Sequence, residues 1–223
     1  MDELRVTEFL DHASPEVADL VSGTVAAGDD ARQRAVKLYY AVRDGLLYEV
    51  YGADLSRHGL KASAIIRTGS GFCVHKSLVY AAALRRAGIP SRLFYGDVRN
   101  HLASPRLRDL VGGDLFRFHA LTLVYLDGTW IKSTPVFNKT LCRLYRIRPL
   151  DFDGTADSIY HPYDLEGRRH MELVHAHGDF PDFPYDLVVG GIREAHPKLF
   201  ASQDRTTAGS LISEAVTQEM GRS

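Results

Sequence analysis

The chain has few cysteines, no excess charge of either sign and no long apolar run. Only two of its 223 residues are cysteines, Cys73 and Cys142, and their contexts differ so much that a structural disulfide framework is not expected. The 27 Lys and Arg residues nearly balance the 28 Asp and Glu residues, so neither nucleic acid nor an acidic membrane surface is a favoured partner. Because no run of eighteen apolar residues is present, no membrane-spanning helix is predicted.

What is present is typical of a soluble globular protein. Hydrophobic residues make up 45% of the chain and charged residues 25%. The segment from Met1 to Glu8 has neither the basic nor the apolar part of a signal peptide, and we expect a cytoplasmic protein. The length fits a single domain over residues 1–223, with a core at about 31–140 and a loop-rich C-terminal extension over 141–223.

The first part of the chain has the pattern of helices. Ser14-Pro15 can cap and begin a short helix that ends near Gly23. A second helix is predicted from about Ala31 to Gly45, where apolar residues recur at helical spacing. A third begins at Cys73 and ends where Gly88-Ile89-Pro90 breaks it.

Extended segments follow. Ser91 to Gly96 and Arg117 to Leu126 are rich in β-branched and aromatic residues, and Asp127-Gly128 is a strong hairpin turn. The returning strand, Thr129 to Thr134, stops before Pro135. Helices followed by strands favour an α+β fold in which the N-terminal helices pack on an antiparallel sheet.

The remaining segments carry weaker patterns. Gly96 to His101 is predicted to be a loop after a strand. Asp151 to Pro184 is predicted to form long ordered loops, because its apolar residues follow neither a helical nor a strand spacing. A final helix is predicted from about Ser210 to Met220.

Cys73 is the most informative residue. Gly69-Ser70-Gly71-Phe72-Cys73 places its thiol at a helix start, where unpaired N–H groups and the helix dipole favour the thiolate. We therefore expect its pKa to be lowered, as for a nucleophile. The alternative is a small buried core residue, which is the interpretation that we give to Cys142.

Thiol catalysis also needs a base that takes and returns the proton. His119 is the best candidate, because it lies inside a predicted strand beside a tight hairpin and its ring would be held in place. A histidine in a strand can equally be structural.

Together these features resemble the transglutaminase-like superfamily of cysteine enzymes, over about residues 60–138. The resemblance rests on Gly71-Phe72-Cys73, on Ala87-Gly88-Ile89-Pro90-Ser91-Arg92, on Phe94-Tyr95-Gly96, on the strand of His119 and on Gly128-Thr129-Trp130. It implies a papain-like cysteine enzyme fold, with Cys73 as nucleophile and His119 as general base and acid. It also implies a thiol hydrolase or acyltransferase, of the cysteine protease or amidase type, that cleaves a peptide or other amide bond through an acyl-thioester.

The sequence departs from the family at the third catalytic position. Many members carry an Asp before a Pro on the strand after the His strand, and this chain has Thr134 there. A hydroxyl can accept a hydrogen bond from imidazole but cannot supply a negative charge. Asn138, just beyond Pro135, is the other candidate, although it can also be an ordinary turn residue.

Two other functions stay open. The missing Asp makes a catalytically inactive transglutaminase-like binding domain the main alternative. A metal site is considered because several His and Asp residues crowd one region, but their spacing matches no zinc pattern, and no metal or cofactor is predicted. These residues are His161, His170, His175, His177, Asp153, Asp157, Asp164 and Asp179. The expected partner is a peptide, protein or small amide substrate, while hydrolysis, amine transfer and the oligomeric state are left open.

Overall fold

The protein is an α+β structure in which one buried helix lies against a four-stranded antiparallel sheet. The computed structural model describes residues 2–101, 103–159, 164–168, 170–201 and 210–220. Within these residues, no helix has both the length and the apolar character needed to cross a membrane.

The described elements mix helices and strands along most of the chain and end in three helices. The helices are α1 (Pro15–Ser22), α2 (Ala31–Gly45), α3 (Ala62–Thr68), α4 (Cys73–Arg86), α5 (Pro105–Val111), α6 (Lys139–Tyr145), α7 (Tyr185–Ala195), α8 (Pro197–Ala201) and α9 (Leu211–Met220). The strands are β1 (Leu47–Tyr48), β2 (Ser70–Gly71), β3 (Ser91–Asn100), β4 (Leu115–Leu126), β5 (Thr129–Ser133) and β6 (Met171–Phe180).

The helix boundaries predicted for α1, α2, α4 and α9 are confirmed, because local signals set them. Pro15 begins α1 after the cap residue Ser14, although the Ser14 hydroxyl makes no capping hydrogen bond. Asp30 and Gln33 form a reciprocal capping box at the start of α2, with hydrogen bonds of 2.8 and 2.9 Å. Gly88 adopts a positive φ of 78° just after α4.

Helix α4 is the centre of the core. Nearly all of its side chains are buried, as expected of a helix that is covered on every side. It packs on β3 and β4 on one side and on α1, α2 and α3 on the others. The Thr122 hydroxyl on β4 donates a hydrogen bond to the Ser77 carbonyl of α4 at 3.2 Å, which ties this helix to the sheet.

The four-stranded sheet has the order β5-β4-β3-β6, and each neighbouring pair is antiparallel. The predicted hairpin joins β4 to β5 through Asp127 and Gly128, whose φ angles of 49° and 83° are those of a primed turn. A separate parallel pair joins β1 to β2, with Tyr48 opposite Gly71.

A β-bulge interrupts β4 just before His119. Arg117 and Phe118 together stand opposite the single residue Asp97 of β3, and His119 pairs with Gly96. The Asp97 carboxylate accepts a hydrogen bond from the Phe118 N–H at 3.2 Å. It also forms an ion pair with Arg117, whose Nε lies 2.9 Å from a carboxylate oxygen. Phe118 has a φ of 56°, which is strained for an aromatic residue. The carboxylate of Asp97 therefore stabilises a distorted backbone next to His119.

Two loop predictions are wrong. Residues 96–100 continue β3, and Met171–Phe180 forms β6, which pairs with residues 93–100 of that strand. Within the described part of residues 141–223, where a loop-rich extension is predicted, most residues lie in α6, β6, α7, α8 and α9. Strand β6 has mostly exposed and half-buried side chains, and for this reason its sequence lacks the alternation of a half-buried strand.

Candidate active site

A tight turn delivers Cys73 to the first position of α4. Gly69 ends α3 with a φ of 73°, Ser70 and Gly71 form β2, and Phe72 is the extended cap residue of α4. A Cβ atom on Gly71 would lie 2.5 Å from the His75 side chain, so only glycine fits at this position. The glycines flanking Ser70 thus allow the turn that places the thiol at the helix start.

The prediction that the helix start lowers the pKa of the Cys73 thiol is wrong. Cys73 is only 6% exposed, and its desolvation raises the pKa of the thiol to about 11. Backbone N–H groups of Ala120, Val74 and Cys73 itself act in the opposite direction but do not outweigh burial. The sequence prediction took account of the helix start and not of the protein packed around it.

His119 lies on β4, immediately after the bulge, and is 8% exposed. Burial lowers the pKa of its ring to about 4. The ring makes no hydrogen bond with any residue that the structure describes. At neutral pH the resting pair is therefore a neutral thiol and a neutral imidazole.

Cys73 and His119 line the same cavity, which has about 90 Å³ of open volume. Its floor is formed by the N-terminus of α4 and the bulged part of β4. Its walls come from α5, α6, α7, α8 and α9 and are largely apolar. The structure thus brings together the two residues that the sequence selected, in a space where a small ligand would contact both.

Comparison with known families agrees with this arrangement. The model of the transglutaminase-like superfamily matches residues 18–135, which is more than half of the chain. The chain belongs to the transglutaminase-like superfamily. The match includes Cys73, His119 and Thr134 and begins well before the segment on which the resemblance was based.

Among solved structures, the chain is similar to one described as a "Putative Cysteine Protease" from Cytophaga hutchinsonii. The two share 18% sequence identity with a TM-score of 0.48, and the alignment covers 83% of this chain and 48% of the other. The chain thus spans about half the length of that protein. No curated protein matches it.

Thr134 is the first of the two candidates for the third catalytic position. It directly follows β5, and its buried hydroxyl has no hydrogen-bond partner among the described residues. Its carbonyl accepts a hydrogen bond from the Tyr39 hydroxyl at 3.1 Å. Thr134 lines a smaller cavity together with His119, but the two side chains are not hydrogen-bonded.

Asn138 has a different place in the fold. It is the cap residue of α6, and its carbonyl accepts a hydrogen bond from the Cys142 N–H at 3.0 Å. It is buried, and it lines none of the cavities described around His119. Its side chain makes no hydrogen bond to the His119 ring. In this superfamily member, neither candidate for the third position is hydrogen-bonded to the imidazole.

Tyr48 is a site residue that the sequence analysis did not find. It lines the cavity beside Cys73, and its ring packs edge-on against Phe137 with the centroids 4.7 Å apart. Its hydroxyl makes no hydrogen bond within the described part of the chain. Burial, followed by the proximity of Cys73, raises the pKa of Tyr48, so its hydroxyl stays a hydrogen-bond donor. Tyr48 reaches the site only through the β1–β2 pairing, which no local pattern predicts.

The clustered histidines do not form a metal site in the part of the chain that the structure describes. No group of three His, Cys, Asp or Glu side chains is arranged there to hold a metal ion. His177 Nε2 instead donates a hydrogen bond to Asp97 Oδ1 at 2.7 Å, and its ring packs on His175. His161 lies outside the described residues.

Proposed function

We propose that the protein is a thiol hydrolase or acyltransferase that cleaves a peptide or other amide bond, with Cys73 as nucleophile and His119 as general base and acid. The observation that carries this proposal is the cavity that these two residues share. A nucleophile at a helix start beside a base on a rigid strand is the arrangement that acyl transfer needs.

Acylation begins when the substrate carbonyl lies against the sulfur. His119 takes the thiol proton as Sγ forms a bond to the carbonyl carbon. Because both groups are neutral at rest, this proton transfer accompanies the attack and does not precede it. The C–N bond then breaks, the imidazolium gives its proton to the departing amine, and the acyl group remains as a thioester.

Deacylation repeats these transfers with a second nucleophile. His119 removes a proton from water as the oxygen attacks the thioester carbonyl. The C–S bond breaks, the proton returns to Sγ and a carboxylic acid leaves. An amine in place of water gives acyl transfer.

The tetrahedral intermediates carry a negatively charged oxygen, which needs hydrogen-bond donors to stabilise it. The Cys73 N–H lies in the first turn of α4, where no carbonyl of the helix can accept it. The Tyr48 hydroxyl is the second donor available in the cavity. Together they replace the water that the oxyanion would otherwise bind.

A catalytically inactive binding domain is the second candidate function. Two observations favour it: no described group hydrogen-bonds the His119 ring, and burial raises the pKa of the Cys73 thiol to about 11. In that case the cavity would bind a ligand without forming a thioester.

Labelling with iodoacetamide, followed by intact mass and peptide mapping, tests the reactivity of Cys73, and turnover of chromogenic amides tests catalysis. Cys73→Ala is expected to abolish turnover, and His119→Ala to lower it by at least a hundredfold, while both variants stay folded. Cys142→Ala is the matched control, because Cys142 is also buried but lies in α6 outside the shared cavity. Turnover that survives in Cys73→Ala would refute the proposal, and a reactive but turnover-free protein would favour the binding domain.

A further inference from the structure

The walls of the cavity above Cys73 are aliphatic and come from separate helices. Each of α5, α6, α7, α8 and α9 contributes at least one such side chain. They are Leu107, Val111, Leu141, Ile192, Leu199 and Leu211. All six are buried, so the cavity offers a ligand a nearly continuous apolar surface.

Two polar groups that lie beside these aliphatic side chains, Ser104 and His196, are already bonded to the protein. The Ser104 hydroxyl accepts from the Leu107 N–H at 3.1 Å and donates to Glu214 at 3.0 Å. His196 Nδ1 donates to the Val111 carbonyl at 2.7 Å, so its Nε2 accepts from the Arg117 N–H at 3.0 Å. These groups have little capacity left for a polar ligand.

The cavity also offers no counter-charge. Among the described residues that line it, Arg117 is the only Asp, Glu, Lys or Arg. Its guanidinium is paired with the Asp97 carboxylate at 2.9 Å. Cys73 and His119 are neutral at pH 7, because burial holds the pKa of the thiol near 11 and that of the imidazole near 4. A charged substrate group would lose its hydration here without gaining a partner.

We propose that this cavity binds an uncharged, apolar acyl group, and that the substrate is an acyl amide whose carbonyl lies at Cys73 with its hydrocarbon chain between α5 and the C-terminal helices. This inference rests on the proposed function and narrows it. An extended polypeptide carries an N–H and a C=O at every residue, and the bonded polar groups of these walls could not satisfy them. Much of the wall lies after residue 135, beyond the segment that matches the superfamily.

The test is a series of p-nitroanilides with acyl chains from acetyl to decanoyl, each paired with an analogue of equal length that ends in a carboxylate. The rate constant kcat/KM is expected to rise about fourfold for each added methylene until the cavity is full. The carboxylate-ended analogues should be at least a hundredfold poorer. Rates in Cys73→Ala are subtracted throughout.

Two substitutions on α5 locate the acyl chain. Leu107→Phe narrows the cavity and is expected to move the optimum to a shorter chain. Leu110→Phe is the matched control: Leu110 is half-buried on the same helix and does not line the cavity, so the optimum should stay unchanged. An equal shift in both variants, or none in Leu107→Phe, would overturn the inference.

The remaining outcomes separate the two proposals. If hydrolysis depends on Cys73 but is indifferent to chain length or favours the charged analogues, the inference fails and the proposed function stands. If no anilide is cleaved, the proposed function fails, and calorimetric titration of Cys73→Ala with octanamide decides the inference alone. Binding that Leu107→Phe weakens and Leu110→Phe does not would support it, and absence of binding would overturn it.

Discussion

Two adjacent glycines in α7 allow a sharp test of how His119 is held. A Cβ atom on Gly191 would lie 2.0 Å from Cε2 of the Phe118 ring, whereas a Cβ atom on exposed Gly190 would meet nothing within 4 Å. The Phe118 ring cannot move away freely, because it is also stacked on His177 with the centroids 4.1 Å apart. Gly191→Ala therefore forces the ring and the backbone before His119 to shift.

The expected stabilities follow from two opposing effects. Alanine in place of glycine inside a helix stabilises by about 1 kcal/mol at most. Overpacking a confined ring lowers the free energy of unfolding by about 1 to 3 kcal/mol. The upper part of that range applies here, because the Phe118 ring would be pressed by the new methyl group while it is stacked on His177. Gly190→Ala should thus raise the free energy of unfolding by about 0.5 to 1 kcal/mol, and Gly191→Ala should lower it by about 1 to 2 kcal/mol.

Urea denaturation of the two variants beside the wild type measures this difference. At a temperature where all three are folded, Gly191→Ala should also reduce Cys73-dependent turnover by about tenfold or more, because a small displacement of His119 misaligns proton transfer. Gly190→Ala should keep full turnover. If the two variants unfold at the same urea concentration, the packing argument is refuted.

Three further predictions concern the site itself. Because burial raises the pKa of Cys73 to about 11 and lowers that of His119 to about 4, the fraction of thiolate grows with pH. The rate of labelling by iodoacetamide should therefore increase about tenfold per pH unit between pH 7 and 10. A rate that stops increasing below pH 8 would indicate a preformed ion pair. Thr134→Val removes a buried hydroxyl that has no hydrogen-bond partner among the described residues. The free energy of unfolding should stay unchanged or rise by about 1 kcal/mol. A much lower melting temperature in thermal denaturation would show that the hydroxyl is hydrogen-bonded in solution. Tyr48→Phe should lower kcat about a hundredfold if its hydroxyl stabilises the oxyanion, whereas an unchanged kcat in steady-state assays would exclude that role.

Local patterns predicted the elements that local chemistry determines. Pro15 at a helix start, the glycines around Ser70 and the Asp127-Gly128 turn each impose a backbone conformation by themselves, and all three stand where the sequence placed them. Cys73 and His119 both lie on such elements, and both line one cavity. Their catalytic roles stay predictions.

Tertiary contacts decided what the sequence could not predict. Strand β6 is held by its pairing with β3, and its own residues are too polar to indicate a strand. The pKa of Cys73 depends on the desolvation that surrounding segments impose. Asp97, predicted in a loop, instead supports the β4 bulge through Phe118 and Arg117, a role that no spacing in the sequence reveals.

The neutral resting state of Cys73 has a consequence for oxidative damage. Peroxides oxidise thiolates, and at pH 7 a pKa of about 11 leaves a thiolate on about one molecule in ten thousand. Cys73 as a residue is also only 6% exposed, so few oxidant molecules reach its sulfur. Cys73 should therefore resist conversion to sulfenic acid, and the protein should keep this thiol intact under conditions that inactivate enzymes with a preformed thiolate.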